Sequence, residues 1–77
     1  MKKVQILGTG CPKCKKLFET VQKVVTDASI EAEVSKVEDI NEILTFGVMM
    51  TPALVVDGEV KAVGRVPRPE EIREMIV

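Results

Sequence analysis

With 77 residues, 11 Lys plus Arg, 12 Asp plus Glu and a formal net charge of −1, the chain is sized for one domain spanning 1–77. It carries no basic stripe interleaved with aromatics, which argues against nucleic acid as its main partner. No apolar run approaches the ~20 residues needed to cross a bilayer. A domain this short buries only about 60% of its unfolded surface, so its stability margin is thin.

Two Phe, no Trp and no Tyr leave Val, Ile, Leu and Met to build the core. Histidine is absent, which removes the usual general base and the commonest nitrogen ligand for a metal. Met1-Lys2-Lys3 leads straight into a strand pattern and does not read as a signal peptide. The expected location is therefore the cytoplasm, where a C-x-x-C is more often catalytic or metal-binding than structural. One Asn and two Gln among many Glu, Lys and Val hint at a thermophilic source.

Lys3 to Leu7 reads as a short apolar-rich strand, followed by a turn at Gly8-Thr9-Gly10 and then Cys11. From Pro12 to about Ala28, Leu17, Val21, Val24, Val25 and Ala28 recur at helical spacing. Pro12 suits the first helical position, where a missing N–H costs nothing. Val24, Val25 and Thr26 are poor helix formers, so this helix depends on packing against a sheet. Ile30 to Val37 alternates apolar and polar residues as a half-exposed strand does. Asp39 is a candidate cap for a short helix whose face is Ile40, Ile43 and Leu44, with Gly47 as its stop.

Ala53 to Val56 is a compact apolar run suited to a buried strand. Asp57-Gly58 is a strong two-residue hairpin signal leading into Glu59 to Val63, where Gly64 breaks the strand. Pro69-Glu70-Glu71 opens a last helix with acidic residues at its positive end, and Ile72, Met75 and Ile76 supply its buried face. The order β-α-β-α-β-β-α predicts an α/β fold with a mixed four-stranded sheet covered by helices.

The chemistry concentrates at Cys11-Pro12-Lys13-Cys14, which holds the chain's two cysteines. Residues three apart at a helix start share a face, with Cβ atoms about 5–6 Å apart, within reach of a disulfide after small adjustment. Cys11 is the better nucleophile, because backbone N–H groups at the helix N-terminus favour its thiolate. Cys14 sits nearly one turn inside and is more shielded. That asymmetry suits attack by Cys11 followed by resolution by Cys14. Lys13, Lys15 and Lys16 crowd the same turn; a solvated face is the plainer explanation, and a device that lowers the thiol pKa is the functional one.

A structural staple is a poor reading, since so short a loop removes little entropy from the unfolded chain. Soft-metal binding is the serious alternative. A zinc site wants four ligands, so two thiolates need a second chain, whereas copper(I) tolerates two thiolates. Small metal carriers also place a C-x-x-C between a first strand and a first helix.

The run from Phe46 to Val60, with Met49-Met50-Thr51-Pro52 ahead of an apolar strand and a Gly-Glu hairpin, resembles the second half of thioredoxins. The likeness continues through Val63-Gly64-Arg65 and the final helix. With the dithiol after a first strand, it covers nearly the whole chain. The sequence is similar to the minimal thioredoxin/glutaredoxin-like redox proteins of archaea and bacteria. Copper-carrier domains, by contrast, end in a strand and usually carry Met-x-Cys, where this chain has Thr9.

The resemblance implies a thioredoxin-like fold and a thiol–disulfide oxidoreductase; a monomer is the expected state. It implies no cofactor beyond a Cys11–Cys14 redox pair, and as partners a disulfide-containing substrate and a separate reductase. It further implies a cis Pro52 packed against the dithiol, Thr51 offering its backbone to an extended substrate, and Gly64 leaving room for it. Met49 and Met50 are expected mainly as core filler, with a compliant docking surface as the other reading. Pro12 and Lys13 are the residues expected to tune the thiol. The chain departs from thioredoxins in having Gly10 where Trp is usual and Pro-Lys where Gly-Pro is usual. It also has Gln5 on the early strand, where thioredoxins keep a buried acid. The Pro-x order is closer to glutaredoxins, although no clear glutathione-binding set follows the hairpin.

Overall fold

The structure, a computed structural model, describes residues 2–10 and 12–76. Strand β1 (Lys2–Leu7) is followed by helix α1 (Pro12–Asp27), β2 (Ala32–Val37), α2 (Ile40–Thr45), β3 (Ala53–Val56), β4 (Glu59–Val63) and α3 (Pro69–Ile76). The sheet runs β2-β1-β3-β4. β1 and β2 are parallel, joined by the α1 crossover, with Val4 beside Val34 and Ile6 beside Lys36. β3 lies antiparallel to both β1 and β4. The mixed four-stranded sheet and element order are those anticipated from the sequence.

Local chemistry sets most of the boundaries. α1 begins at Pro12. Its far end closes at residues 29 and 30. Ser29 lies at φ 51°, its N–H donates to the Thr26 carbonyl at 3.2 Å, and the Ile30 N–H donates to the Val25 carbonyl at 3.0 Å. Ile30 is thereby held in the helix cap, so β2 starts at Ala32 rather than at the expected Ile30. The Asp39 side chain accepts the Asn41 N–H at 2.8 Å and caps α2. α2 stops before Gly47, whose N–H donates to the Leu44 carbonyl at 2.9 Å.

Asp57 and Gly58 both adopt positive φ, 51° and 84°, as a tight primed hairpin turn requires. The turn is also tied to β1. Lys3 N–H donates to the Asp57 carboxylate at 2.9 Å, and Asp57 N–H donates to the Lys3 carbonyl at 2.8 Å. The Lys2 ammonium stands 3.5 Å from the same carboxylate.

Successive side chains of a strand face opposite ways, so the sheet divides two cores. On one face Val4, Ile6, Leu54 and Val56 meet Leu17, Val21 and Val24 of α1 and Ile72 and Ile76 of α3. On the other, Leu7, Val37, Ala53 and Val55 meet Ile43 and Val48, with Phe46 packed against them. β3 is buried on both faces, which is why its sequence is an unbroken apolar run.

Candidate active site

The end of the sheet where β1 gives way to α1 assembles the residues singled out by sequence. Cys14 lies in the first turn of α1 and is buried, at 5% exposure. Cys11 lies outside the described residues. The Gly8 N–H donates to the Val37 carbonyl at 3.0 Å, and the same residue lies against Cys14. A Cβ added to Gly8 would lie 2.9 Å from the Cys14 Cβ and closer still to its sulfur, inside the distance at which carbon atoms pack. Gly8 is therefore glycine for space. The sequence reading assigned it only to a turn; its place as the last residue before the loop, following an apolar strand, was the available signal.

The same added Cβ would touch the Thr51 Cβ at 4.0 Å. Thr51 thus reaches the dithiol end of α1 across Gly8, although 43 residues separate the two in sequence (51 − 8). The Thr51–Pro52 peptide bond is cis, as the resemblance implied. Pro52 is buried, and its carbonyl accepts the Gly64 N–H at 2.8 Å. Thr51, Pro52 and Gly64 accordingly form one connected rim. Gly64 has φ 72°, which L side chains rarely adopt. A Cβ there would meet the Met50 Cε at 3.2 Å, so the Met50 side chain covers the space above it.

The methionines correct an expectation. Met49 is 91% and Met50 63% exposed, so neither fills the core. Ile40 and Leu44 of α2 are likewise 60% and 55% exposed, leaving Ile43 as the buried residue of that helix. Ile43 is the residue turned toward the sheet, with Ile40 and Leu44 flanking it on the solvent side of the same face. The outcome is an apolar groove lined by Thr9, Ile40, Ile43, Leu44, Val48, Met49 and Thr51. It shares Thr9 and Thr51 with the dithiol end.

Pro12 and Lys13 are exposed on the first turn of α1. The lysine that lines the hollow beside Cys14 is Lys15, together with Ile6, Gly8, Gly10, Lys36 and Glu38. The Lys36 ammonium is seated over the Phe18 ring, 4.5 Å from its centroid, within the range of a cation–π contact. Gln5 alternates with Val4 and Ile6 along β1 and so lies on the α2 face, away from α1. Among the described residues, no group of three or more His, Cys, Asp or Glu stands close enough to hold a metal ion.

Cys14 in the first turn of the first helix, a cis Thr51–Pro52 bond whose Thr51 approaches the same glycine, and a β-α-β unit joined to a β-hairpin and closing helix make up a thioredoxin-like fold. The chain matches the thioredoxin domain family over residues 2–77. It is 41% identical over 76 residues to a thioredoxin of Methanothermobacter thermautotrophicus, covering 99% of each chain. It is 44% identical over 71 residues to a thioredoxin of Methanocaldococcus jannaschii, covering 92% of this chain and 81% of that one. The chain belongs to the thioredoxin family, and its activity is thiol–disulfide exchange.

Proposed function

We propose that residues 1–77 act as a single monomeric cytoplasmic unit that exchanges disulfides through Cys11 and Cys14. Cys11 attacks the substrate disulfide, and Cys14 then displaces the reduced substrate from the mixed disulfide. The observation that carries this is the convergence at Gly8, where the buried Cys14 and the residue preceding the cis proline pack against the same backbone.

Thr51, Pro52 and Gly64 form the substrate rim. Thr51 offers backbone groups to an extended peptide, while Met50 shields Gly64 until the peptide arrives. The apolar groove along Ile40, Leu44 and Met49 takes side chains of that peptide, and methionines suit a surface that accepts more than one sequence. Pro12 starts α1, a helix N-terminus favours a thiolate in the residue ahead of it, and Lys13 adds positive charge on the same turn. The reaction needs no cofactor beyond the redox pair. Its partners are a disulfide-bearing protein and a separate reductase that restores the thiols. A thermophilic source is in keeping with the low amide content.

The test is a trapping experiment. Cys14→Ser should accumulate mixed disulfides with substrate proteins, and Cys11→Ser should be inert. Disulfide-reducing activity equal to native in both variants would reject the assignment.

A further inference from the structure

Of the four methionines in the chain, Met1 lies outside the described residues, and Met75 is half-buried and packed against the α1/α3 core. Met49 and Met50 stand elsewhere. Both are exposed, and both belong to the segment that leads into the cis Thr51–Pro52 bond. Met49 lines the apolar groove with Ile40, Leu44 and Val48. The Met50 Cε and Sδ stand 3.2 and 3.8 Å from where a Cβ on Gly64 would sit, which places that sulfur at the rim. Gly64 is itself bonded through its N–H to the Pro52 carbonyl. Among the described residues, the two methionines most open to water therefore flank the cis proline. A thioether needs no ionisation to react with a peroxide, so access to the sulfur decides which methionine is oxidised.

We propose that Met49 and Met50 form an oxidation site, at which hydrogen peroxide weakens the docking of protein disulfides and leaves the dithiol able to react. The proposal rests on the groove and rim receiving the substrate peptide. In the step itself, the methionine sulfur attacks one peroxide oxygen. An S–O bond forms as the O–O bond breaks, and the departing hydroxide takes the proton of the transferred oxygen and leaves as water. The sulfur is oxidised by two electrons to the sulfoxide, and the peroxide is reduced by the same two. The product is polar where the thioether was apolar. On Met49 it sets an acceptor oxygen among Ile40, Leu44 and Val48, where a docked apolar side chain would strip its water and return no donor. On Met50 it adds bulk beside Gly64, in the space that an extended peptide crosses. A small aromatic disulfide does not span the groove and is spared. Neither methionine fills the core, so the fold is spared as well.

The experiment treats the protein with hydrogen peroxide in its disulfide form, so that the oxidant meets thioethers rather than thiolates. Peptide masses follow oxygen uptake at each methionine with time. The pair is then reduced again with dithiothreitol, and reduction of insulin and of dithiobis(nitrobenzoate) is measured. The native protein, Ile40→Ser and a variant carrying both Met49→Leu and Met50→Leu are each compared with their own untreated samples. Leu keeps the apolar bulk of Met and lacks the sulfur. Met49 and Met50 are expected to take up oxygen before Met75. In the native protein the KM for insulin is expected to rise about tenfold, the size of one lost methionine contact. The rate with dithiobis(nitrobenzoate) and the thermal midpoint should hold, and treatment should leave the KM of the double variant where it was. Oxygen at Met75 as early as at Met49 and Met50, an unchanged KM in oxidised native protein, an equal loss with both disulfides, or the same KM rise in the double variant overturns the proposal. Untreated Ile40→Ser with a native KM for insulin would instead defeat the assignment of the groove to substrate, so the two failures are told apart.

Discussion

On one face of the sheet, Val4, Ile6, Leu54 and Val56 are closed over by two helices that also touch each other, and Leu17, Val21, Ile72 and Ile76 are fully buried there. On the opposite face, Leu7, Ala53 and Val55 are covered by one short helix and the segment after it, with Ile43 and Val48 as the buried contributions. Each fully buried aliphatic side chain is worth about 1.5–3 kcal/mol of hydrophobic free energy. The α1/α3 face therefore carries most of the chain's stability. The α2 face leaves Ile40, Leu44, Met49 and Met50 in solvent, next to the dithiol end. A small domain has few apolar residues to spend, and this one concentrates stability on one side and leaves a sticky surface on the other.

The sharpest way to break that comparison is to truncate one residue on each side. Leu17→Ala or Ile72→Ala should cost about 2–5 kcal/mol in denaturant unfolding, since neither site can collapse between two helices and a sheet. Ile43→Ala should cost about 1–2 kcal/mol, because α2 is short and its neighbours are free to relax. Equal losses would erase the distinction between the faces. Next in size is Gly8→Ala, whose added methyl overlaps Cys14. It should destabilise by about 1–3 kcal/mol through overpacking and slow thiol exchange, read by unfolding and by disulfide reduction on the same sample.

Smaller again in stability terms, Ile40→Ser or Met49→Ser should stay within about 0.5 kcal/mol of native. Either should raise KM for a protein disulfide while leaving reduction of a small aromatic disulfide unchanged. A matched loss with both substrates would remove the groove from substrate binding.

The smallest effect concerns the hairpin end. The Lys3 backbone N–H, helped by Lys2, holds Asp57 below the ordinary carboxylate range. The Arg65 side chain, followed by the Arg68 backbone N–H, does the same for Glu71. A depressed carboxylate contributes stability that is fully present above its unfolded value. That contribution is lost as pH falls through the lower folded value, hence below about pH 4. Asp57→Asn should flatten the acid side of the stability profile and leave the neutral side nearly level, as followed by thermal unfolding across pH. A native profile that stays level through that range would discount the Lys3–Asp57 tie.

Much of this architecture is legible residue by residue in the chain. Leu17, Val21 and Val24 mark the buried side of α1 by their spacing alone. Pro12 starts that helix, Asp39 caps the next, and Asp57-Gly58 turns the hairpin, because each depends on backbone conformations fixed within a few residues. Cys11 and Cys14 stand out for the same reason, since their spacing already says what a pair of thiols on a helix start can do.

The remainder depends on which distant segments meet. Ile40, Leu44, Met49 and Met50 are as apolar as any core residue, and only the way α2 and the chain after it sit on the sheet leaves them in solvent. The need for glycine at position 8 comes from Cys14 pressing against it. Thr51 reaches that same point across Gly8, and Lys36 and Glu38 share a hollow with a thiol on another element. Periodicity and turn chemistry are local quantities that composition and spacing can specify. The close approach of a backbone to a sulfur, or of charged side chains to the hollow beside it, comes into being only when the sheet brings remote stretches of chain together.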